Sequence, residues 1–332
     1  MTQIKNRREL LRLLALSAGA WGLTAPFTTP SAFAQAKDKA ATKPLDQLRI
    51  GYQKSAVNLV ILKQQGVLEK RFPNTKVSWI EFPAGPQLLE ALSVGALEFG
   101  LTGDSPPVFA QAAGKDLYYV GAEPAKPESS AVLVLQDSPI KTLVDLKGKK
   151  IALQKGSSAH YLLVRAIEKA GLLWSDIQPI YLTPADARAA FERKSVDAWV
   201  IWDPFYAATE LALPTRALTT GVGLSGNNSF YLSSTALANQ SPEVVLALFE
   251  ELSRADRFVQ ERRPEAIQLI ANFSGLDAGV VSLFLKRRPR SPVGLLSAEA
   301  AASQQNVADA FARLALIPKS VRVADIVWRF AR

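Results

Sequence analysis

The stretch KKIALQKGSSAHYLLVRAIEKAG (149–171) decides the fold class, because it passes from strand to helix through one short polar turn. Residues 149–154 are predicted to be a strand, and 157–171 carry an apolar stripe at helical spacing. Gly156 allows the turn to tighten, and a serine at 157 or 158 is a favoured helix N-cap. The stretch is therefore one strand-helix unit of an α/β protein.

Strands and helices also alternate on both sides of this unit. Further strands are predicted at 48–53, 76–82, 97–103, 177–182 and 197–202, and the helices between them at 57–72, 85–95, 104–114, 184–196 and 203–211. Most of the chain beyond residue 241 has helical character. Two successive strand-helix sets with a helical tail predict two α/β lobes, with the tail packed on the first.

The chain is expected to cross between these lobes twice, near Val134–Asp137 and near Ser229–Ser233. Lobe I then comprises 47–134 and 231–332, and lobe II comprises 135–230. A pair of lobes joined in this way holds its ligand in the cleft between them, beside the carboxyl ends of the strands.

Composition limits the chemistry that the protein can carry. The chain has 332 residues, 48% of them hydrophobic, and no cysteine. Thiolate catalysis, disulfides and cysteine metal sites are therefore excluded. The net charge of +9 suits an anionic ligand or surface without establishing either.

The N-terminal segment 1–34 is predicted to be a secretory signal peptide. A basic start precedes an apolar run, and Ala32-Phe33-Ala34 is a small-x-small cleavage site. The pair Arg7-Arg8 resembles a twin-arginine export signal, and the Sec route stays open. Residues 35–46 are polar and are expected to form a flexible leader. Export without cysteines or a second apolar span indicates a bacterial periplasmic protein.

The turn at 154–160 has two interpretations. Ser158 and His160, the only histidine, could be a nucleophile and its base, but neighbours this close in a first helical turn do not face each other well. The alternative is an anion cradle, in which serine hydroxyls and the free N–H groups of 158–160 bind a negative group. The cleft position favours the cradle over both catalysis and a plain Ser-capped helix.

Similar strand-to-helix turns occur at Thr102-Gly103-Asp104 and at Trp202-Asp203. Several helix N-termini that converge on one cleft would bind an anion without a metal. We expect Asp104 and Asp203 to cap their own helices, and the alternative is that one of them meets the positive end of a zwitterion. Trp202 could line the apolar part of the pocket.

No sequence motif supports a metal, a nucleotide cofactor or a nucleic-acid partner. The basic clusters Arg262-Arg263 and Lys286-Arg287-Arg288 lie in the helical tail without interleaved aromatic residues. They are expected to form solvated surface.

Several long motifs, spread from Leu48 to Trp328, together resemble the periplasmic aliphatic sulfonate-binding proteins of ABC importers. They are LRIGYQK, WIEFPAGPQLLEAL, GLTGDSPPVFAQAA, YVGAEPAKPES, ALQKGSSAH, PIYLTPADARAAF and VDAWVIWDPFYA. The resemblance implies a type II periplasmic binding fold: two lobes, a two-strand hinge and a helical C-terminal tail. It also implies a monomer that delivers a small anionic sulfonate to an inner-membrane permease with its ATPase, without a cofactor.

The resemblance further implies which residues meet the ligand. The expected contacts are Gln53, Thr102, Gly103, Asp104, Gly156, Ser157, Ser158, His160, Trp202 and Asp203, and weaker candidates are Tyr52, Asn227, Asn228 and Ser229. Ala159 stands where the family pattern leads us to expect a polar residue, so one side-chain donor to the anion would be missing.

Function follows as reversible capture of an aliphatic sulfonate for uptake as a sulfur source. Because a sulfonate stays anionic, affinity is expected to be nearly flat from pH 5 to 8, with no contribution from His160. The alternative functions have the same fold and a different ligand, which would be taurine, nitrate or a thiamine precursor. A desulfinase-like enzyme is a further alternative, but the resemblance implies a cysteine nucleophile that this chain lacks.

Overall fold

The computed structural model describes residues 45–289 and 293–330. The predicted signal peptide with its cleavage site at Ala34, and most of the leader 35–46, lie outside the described residues. None of the helices in the described part is long and apolar enough to cross a membrane.

The described residues form two sheets surrounded by helices. The strands are β1 (Gln47–Tyr52), β2 (Lys76–Glu81), β3 (Phe99–Gly103), β4 (Tyr118–Glu123), β5 (Ser130–Leu135), β6 (Lys150–Leu153), β7 (Gln178–Tyr181), β8 (Ala198–Trp202), β9 (Thr215–Thr220), β10 (Ser229–Ser233) and β11 (Gly294–Leu295). The helices are α1 (Val57–Gln65), α2 (Val67–Arg71), α3 (Gly85–Ser93), α4 (Ser105–Ala112), α5 (Ser158–Lys169), α6 (Pro184–Glu192), α7 (Phe205–Ala212), α8 (Thr235–Gln240), α9 (Pro242–Glu261), α10 (Arg263–Ser274), α11 (Ala278–Lys286) and α12 (Ala298–Arg313).

The two sheets share one strand order. The first runs β2-β1-β3-β10-β4-β11, and the second runs β7-β6-β8-β5-β9. In each sheet the first three strands in this order are parallel. The fourth strand, β10 or β5, follows in the chain after a strand of the other sheet, and it pairs antiparallel with the third. We use "lobe I" for the first sheet with α1–α4 and α8–α12, and "lobe II" for the second sheet with α5–α7.

The inserted strands move the lobe crossings from their expected positions. The strand β5 (Ser130–Leu135) pairs with β8 and β9 in lobe II, so the chain leaves lobe I before Ser130 rather than near residue 134. The strand β10 (Ser229–Ser233) pairs with β3 and β4 in lobe I, so the return occurs before Ser229. Both strands are buried and apolar because they are interior members of their sheets, and the crossings lie in the preceding segments 124–129 and 221–228.

Helices cover both faces of the first sheet. One face packs on α1 and on α9 to α11, through Leu59, Val245 and Val281, among others. The opposite face packs on α3, α4 and α12, through Leu88 and Phe311. The helical tail therefore packs on lobe I, as the sequence predicted. The predicted helix 57–72 is divided at Gly66, whose φ of +58° ends α1 and starts α2.

Candidate functional site

A cavity lies between the lobes, where strand-end turns from both sheets meet the two connecting segments. Its lining from lobe I is Gln53, Ser55, Val57, Gly85, Leu101, Thr102, Gly103, Pro106, Phe284 and Arg288. The crossings and the start of β10 contribute Lys126, Ser129, Asn227 and Ser229, and lobe II contributes Ser157, Ser158, Trp202 and Asp203.

The turn before α5 is held by its own hydrogen bonds. The Ser157 hydroxyl donates to the Gln154 carbonyl at 2.7 Å, and the Gly156 N–H donates to Nδ1 of His160 at 3.2 Å. Ser157 therefore does not cap α5 with its side chain, contrary to one expectation. Ser157 and Ser158 line the cavity, whereas Gly156 supports the turn with a φ of +71° and its N–H is already engaged.

His160 belongs to the core and not to the cavity. Its side chain is fully buried, and its ring centroid lies 5.0 Å from that of Trp174 and 5.2 Å from that of Phe311. Burial lowers the pKa of His160 to about 3, so the ring is neutral at physiological pH. With Nδ1 already accepting from Gly156, His160 is a structural brace for the turn. His160 does not line the cavity, and its hydrogen bond is with Gly156 rather than with Ser158.

The turn after β3 brings lobe I against lobe II. Thr102 and Gly103 line the cavity. A Cβ at Gly103 would lie 2.0 Å from Oγ of Ser158, so glycine at this position lets the lobes meet without displacing that hydroxyl. Asp104 is buried outside the lining, and its Oδ1 accepts from the Ser105 hydroxyl at 2.9 Å.

The carboxyl of Asp104 therefore does not act as the predicted side-chain cap of α4. Burial raises its pKa, and hydrogen bonds from Ser105 and Ser158 oppose that rise. Because Ser158 belongs to lobe II, the Asp104 carboxyl connects the two lobes, and it does not line the cavity.

Asp203 lines the cavity but already has partners of its own. Its Oδ1 accepts from the Ala207 N–H at 3.0 Å, which fulfils the predicted capping role at the start of α7. Arg287 Nη1 donates to the same oxygen at 3.1 Å. Burial raises the pKa of Asp203 to about 7, against the opposing effect of Arg287. Trp202 lines the cavity beside it.

The remaining candidates divide between cavity and core. Gln53 lines the cavity and donates from Nε2 to the Leu101 carbonyl at 3.1 Å. Asn227 and Ser229 also line it, whereas Asn228 does not. Tyr52 lies away from the cavity, where its hydroxyl accepts from Lys63 Nζ at 2.7 Å. Tyr52 is 3% exposed and does not line the cavity.

Two cations in the lining, Lys126 and Arg288, were missed from the sequence. Lys126 Nζ donates to the Ser229 hydroxyl at 2.6 Å, and Arg288 donates from its two Nη atoms to Glu123 at 3.0 and 3.2 Å. The Lys126 side chain is 12% exposed and that of Arg288 is 7% exposed. The expectation that 286–288 form solvated surface is therefore wrong for Arg287 and Arg288, because buried carboxylates in the fold hold both.

The cavity thus combines positive charge, hydroxyl groups and an apolar wall. Lys126 and Arg288 supply the charge, while the serines and Thr102 supply hydroxyls. The N–H groups of Ser158 and Ala159 begin α5 without a helical acceptor. Across 45–289 and 293–330, no cluster of three or more side chains could hold a metal ion. The arrangement suits a small anion with an apolar tail.

A family model described as "NMT1/THI5 like" matches residues 76–266. A putative aliphatic sulfonates-binding protein of Escherichia coli (strain K12) is 49% identical over 290 residues, which are 87% of this chain and 91% of that protein. The chain belongs to the NMT1/THI5-like family, among its aliphatic sulfonate-binding proteins. A protein of the same description in Bacillus subtilis (strain 168) is 34% identical over 289 residues, 86% of each chain.

A solved structure in this family shares the fold. The alkanesulfonate-binding protein SsuA from Xanthomonas axonopodis pv. citri, bound to MOPS, matches with a TM-score of 0.83 at 49% identity, covering 87% of this chain and 100% of that one. The family resemblance and the periplasmic binding fold predicted from the sequence are both confirmed. These relatives are named as binding proteins and not as enzymes, in agreement with the expected class.

Proposed function

We propose that the protein is the periplasmic solute-binding component of an ABC importer and captures aliphatic sulfonates for uptake as a sulfur source. The single observation that carries this proposal is a cavity between two lobes that joins two buried cations to hydroxyl donors and an apolar wall. The names of its relatives point to the same ligand class.

The two parts of a sulfonate match two parts of the cavity. Its three oxygens would accept from Lys126, Arg288 and the free N–H groups at the start of α5, because the Ser157 and Ser158 hydroxyls already bond to Gln154 and Asp104. Its alkyl chain would lie against Trp202 and Phe284, whose side chains bind by apolar contact and set no single length. Ligand that touches both lobes favours the closed state by its differential affinity, and the importer would recognise that closure.

The alternative ligands fit less well. Taurine carries an amine that needs a free carboxylate, but Asp104 lies outside the lining and Asp203 is already paired with Arg287. Nitrate has no apolar part to cover Trp202 and Phe284. The geometry thus favours a sulfonate with an uncharged tail.

The cellular setting is part of the same proposal. We infer export to the periplasm with cleavage near Ala34, by the twin-arginine or the Sec route, and action as a monomer. An inner-membrane permease with its ATPase would receive the ligand. N-terminal sequencing of protein recovered from the periplasm tests the cleavage position, and uptake of sulfonate in a deletion strain tests the transport role.

Calorimetry with a ligand panel tests the binding function directly. Linear alkanesulfonates of increasing length, taurine, sulfate and nitrate are titrated into the cleaved protein. We expect alkanesulfonates to bind in preference to the other three anions. Equal or stronger binding of taurine or nitrate, or release of sulfite from a bound sulfonate, would contradict the proposal.

A further inference from the structure

Glu123 is buried directly behind the two cations of the cavity. It is the last residue of β4 and is 2% exposed, yet it does not line the cavity itself. Arg288 donates to both of its oxygens, and Lys126 Nζ lies 3.5 Å from Oε2. The two cations that line the cavity therefore share one counterion, and this counterion lies outside the lining.

Neutral donors complete the shell around this carboxylate. The Tyr231 hydroxyl donates to Oε1 at 2.9 Å, and Asn58 Nδ2 donates to the same oxygen at 3.3 Å. These donors and the two cations outweigh the cost of burial and lower the pKa of Glu123 to about 2. Glu123 therefore keeps its negative charge at every pH at which the protein is expected to work.

Counted with both carboxylates ionised and both cations protonated, the groups joined directly in this buried cluster balance before any ligand binds. Asp104, which also acts electrostatically on Lys126, can only add negative charge. Arg288 Nη2 also donates to Oδ1 of Asp256 at 3.3 Å, so the cluster holds two cations, Lys126 and Arg288, and two carboxylates, Glu123 and Asp256. A monoanion leaves the cluster with one net negative charge, and a dianion leaves it with two. Uncompensated charge is unfavourable in a buried site. The second charge of a dianion therefore weakens binding more than the first.

We propose that Glu123 restricts the cavity to singly charged anions, so that an alkanesulfonate is accepted and a sulfate dianion is rejected. The inference rests on the proposed function of sulfonate capture. Glu123 acts through Lys126 and Arg288 rather than by touching the ligand, and its repulsion toward a dianion is about twice its repulsion toward a monoanion.

The test compares methanesulfonate with sulfate, which differ by the replacement of a methyl group with a charged oxygen. Both are titrated calorimetrically at neutral pH, by displacement where binding is weak, into the wild type and Glu123→Gln. We expect the ratio of sulfate affinity to methanesulfonate affinity to rise about tenfold or more in the variant. Glu251→Gln is the matched control, because Glu251 is also buried and ion-paired, with Arg254, but lies outside the cavity lining.

Two further variants separate charge from shape. Glu123→Gln combined with Lys126→Gln restores the charge balance and should return the affinity ratio toward the wild-type value. Asp256→Asn leaves every bond of Glu123 in place and should shift the ratio in the same direction by a smaller factor, which keeps the test available if Glu123→Gln does not fold.

An unchanged ratio in folded Glu123→Gln, or an equal loss of affinity for both anions, would overturn the inference, since Glu123 would then only position its partners. So would a ratio that stays high in the double variant, or an unchanged ratio in Asp256→Asn. A wild-type protein that binds no alkanesulfonate would instead overturn the proposed function.

Discussion

Lobe I and lobe II face the same cavity from opposite sides and bring different kinds of group to it. Lobe I contributes Arg288, and the crossing segment 124–129, which follows β4 of lobe I, contributes Lys126. Both cations form ion pairs with Glu123 at the end of β4. Lobe II contributes Ser157, Ser158 and Trp202, which are neutral, and an aspartate that Arg287 of lobe I already occupies.

Two lobes with one strand order can therefore serve different roles. Lobe I holds fixed charge and would capture the anion, whereas lobe II adds neutral hydroxyls, N–H groups and an aromatic surface that complete the site on closure. Charged donors contribute more to binding than neutral ones, so we expect variants on the two sides to differ in size of effect.

Removal of one of the two buried cations should weaken binding the most. Lys126→Met is expected to weaken sulfonate binding by about 2–3 kcal/mol, or roughly 30- to 150-fold in Kd, because it deletes a buried charged donor. Ser157→Ala in lobe II should cost about 1 kcal/mol or less by the same measurement. Calorimetry on both variants checks the order, and Lys63→Met, which removes a partner of Tyr52 outside the cavity, is the control. Equal losses on the two sides would contradict the division of roles.

Gly103→Ala, which interferes with closure of the two lobes, should have the second largest effect on binding. Gly103→Ala places a Cβ 2.0 Å from Oγ of Ser158, so the serine must turn away from Asp104 or the lobes must stay apart. We expect roughly tenfold weaker binding, equivalent to about 1.4 kcal/mol, and a smaller ligand-induced compaction in X-ray scattering.

A matched glycine serves as the control for this variant. Gly294→Ala adds a methyl group that meets nothing within 4 Å, so binding and compaction should stay as in the wild type. Gly103→Ala combined with Ser158→Ala should recover part of the affinity, because the clashing hydroxyl is removed. Wild-type affinity in Gly103→Ala alone would show that the lobes need not meet at this contact.

The sequence predicted the fold from local patterns that tertiary structure did not override. Strand-helix alternation and Pro/Gly punctuation gave two α/β lobes, and the turn motifs at 102–104 and 156–158 located both walls of the cleft. The crossings were placed too late because β5 and β10 are apolar inserted strands, and only the pairing of each sheet shows to which lobe such a strand belongs.

The charged residues of the site were harder to predict. Lys126 lies in YVGAEPAKPES, one of the motifs that resemble the sulfonate-binding proteins, but no residue pattern around it indicates a binding role. Arg288 lies in a basic cluster of a kind that is typical of protein surfaces. Each becomes a site residue only through Glu123, which is 165 positions from Arg288 in the chain. His160 is the opposite case. A histidine next to a strand-to-helix turn is a common site residue, but here its side chain is buried in the core.

A smaller effect concerns pH. Asp203 has its pKa raised from the ordinary 3.8 to about 7, so it gains a proton as pH falls through 7. The protonated form repels an anion less, and we therefore expect sulfonate affinity to be a few-fold higher at pH 6 than at pH 8.5, in place of the flat profile expected from the sequence. Calorimetry across this range checks the slope.

The groups that face Asp203 are Arg287, the Ala207 N–H and, through Arg287, Glu210. Asp203→Asn should therefore remove the slope and bind at all pH values with about the low-pH affinity of the wild type. The same raised pKa means that wild-type stability falls as pH rises from 4 to 7, because the native state holds a proton that the unfolded chain releases. If the affinity of Asp203→Asn still depended on pH, another group would be responsible for the pH dependence.

The smallest expected effect on binding tests lobe II at Ala159. Its side chain is fully buried and packs in the core of lobe II, so the position at which a donor was expected does not line the cavity. Ala159→Ser should change the Kd for sulfonate by less than about twofold, while the buried hydroxyl lowers the free energy of unfolding by about 1 kcal/mol. Calorimetry and urea denaturation measure the two quantities on one sample. A clear gain in affinity would mean that α5 turns when the lobes close and presents position 159 to the anion.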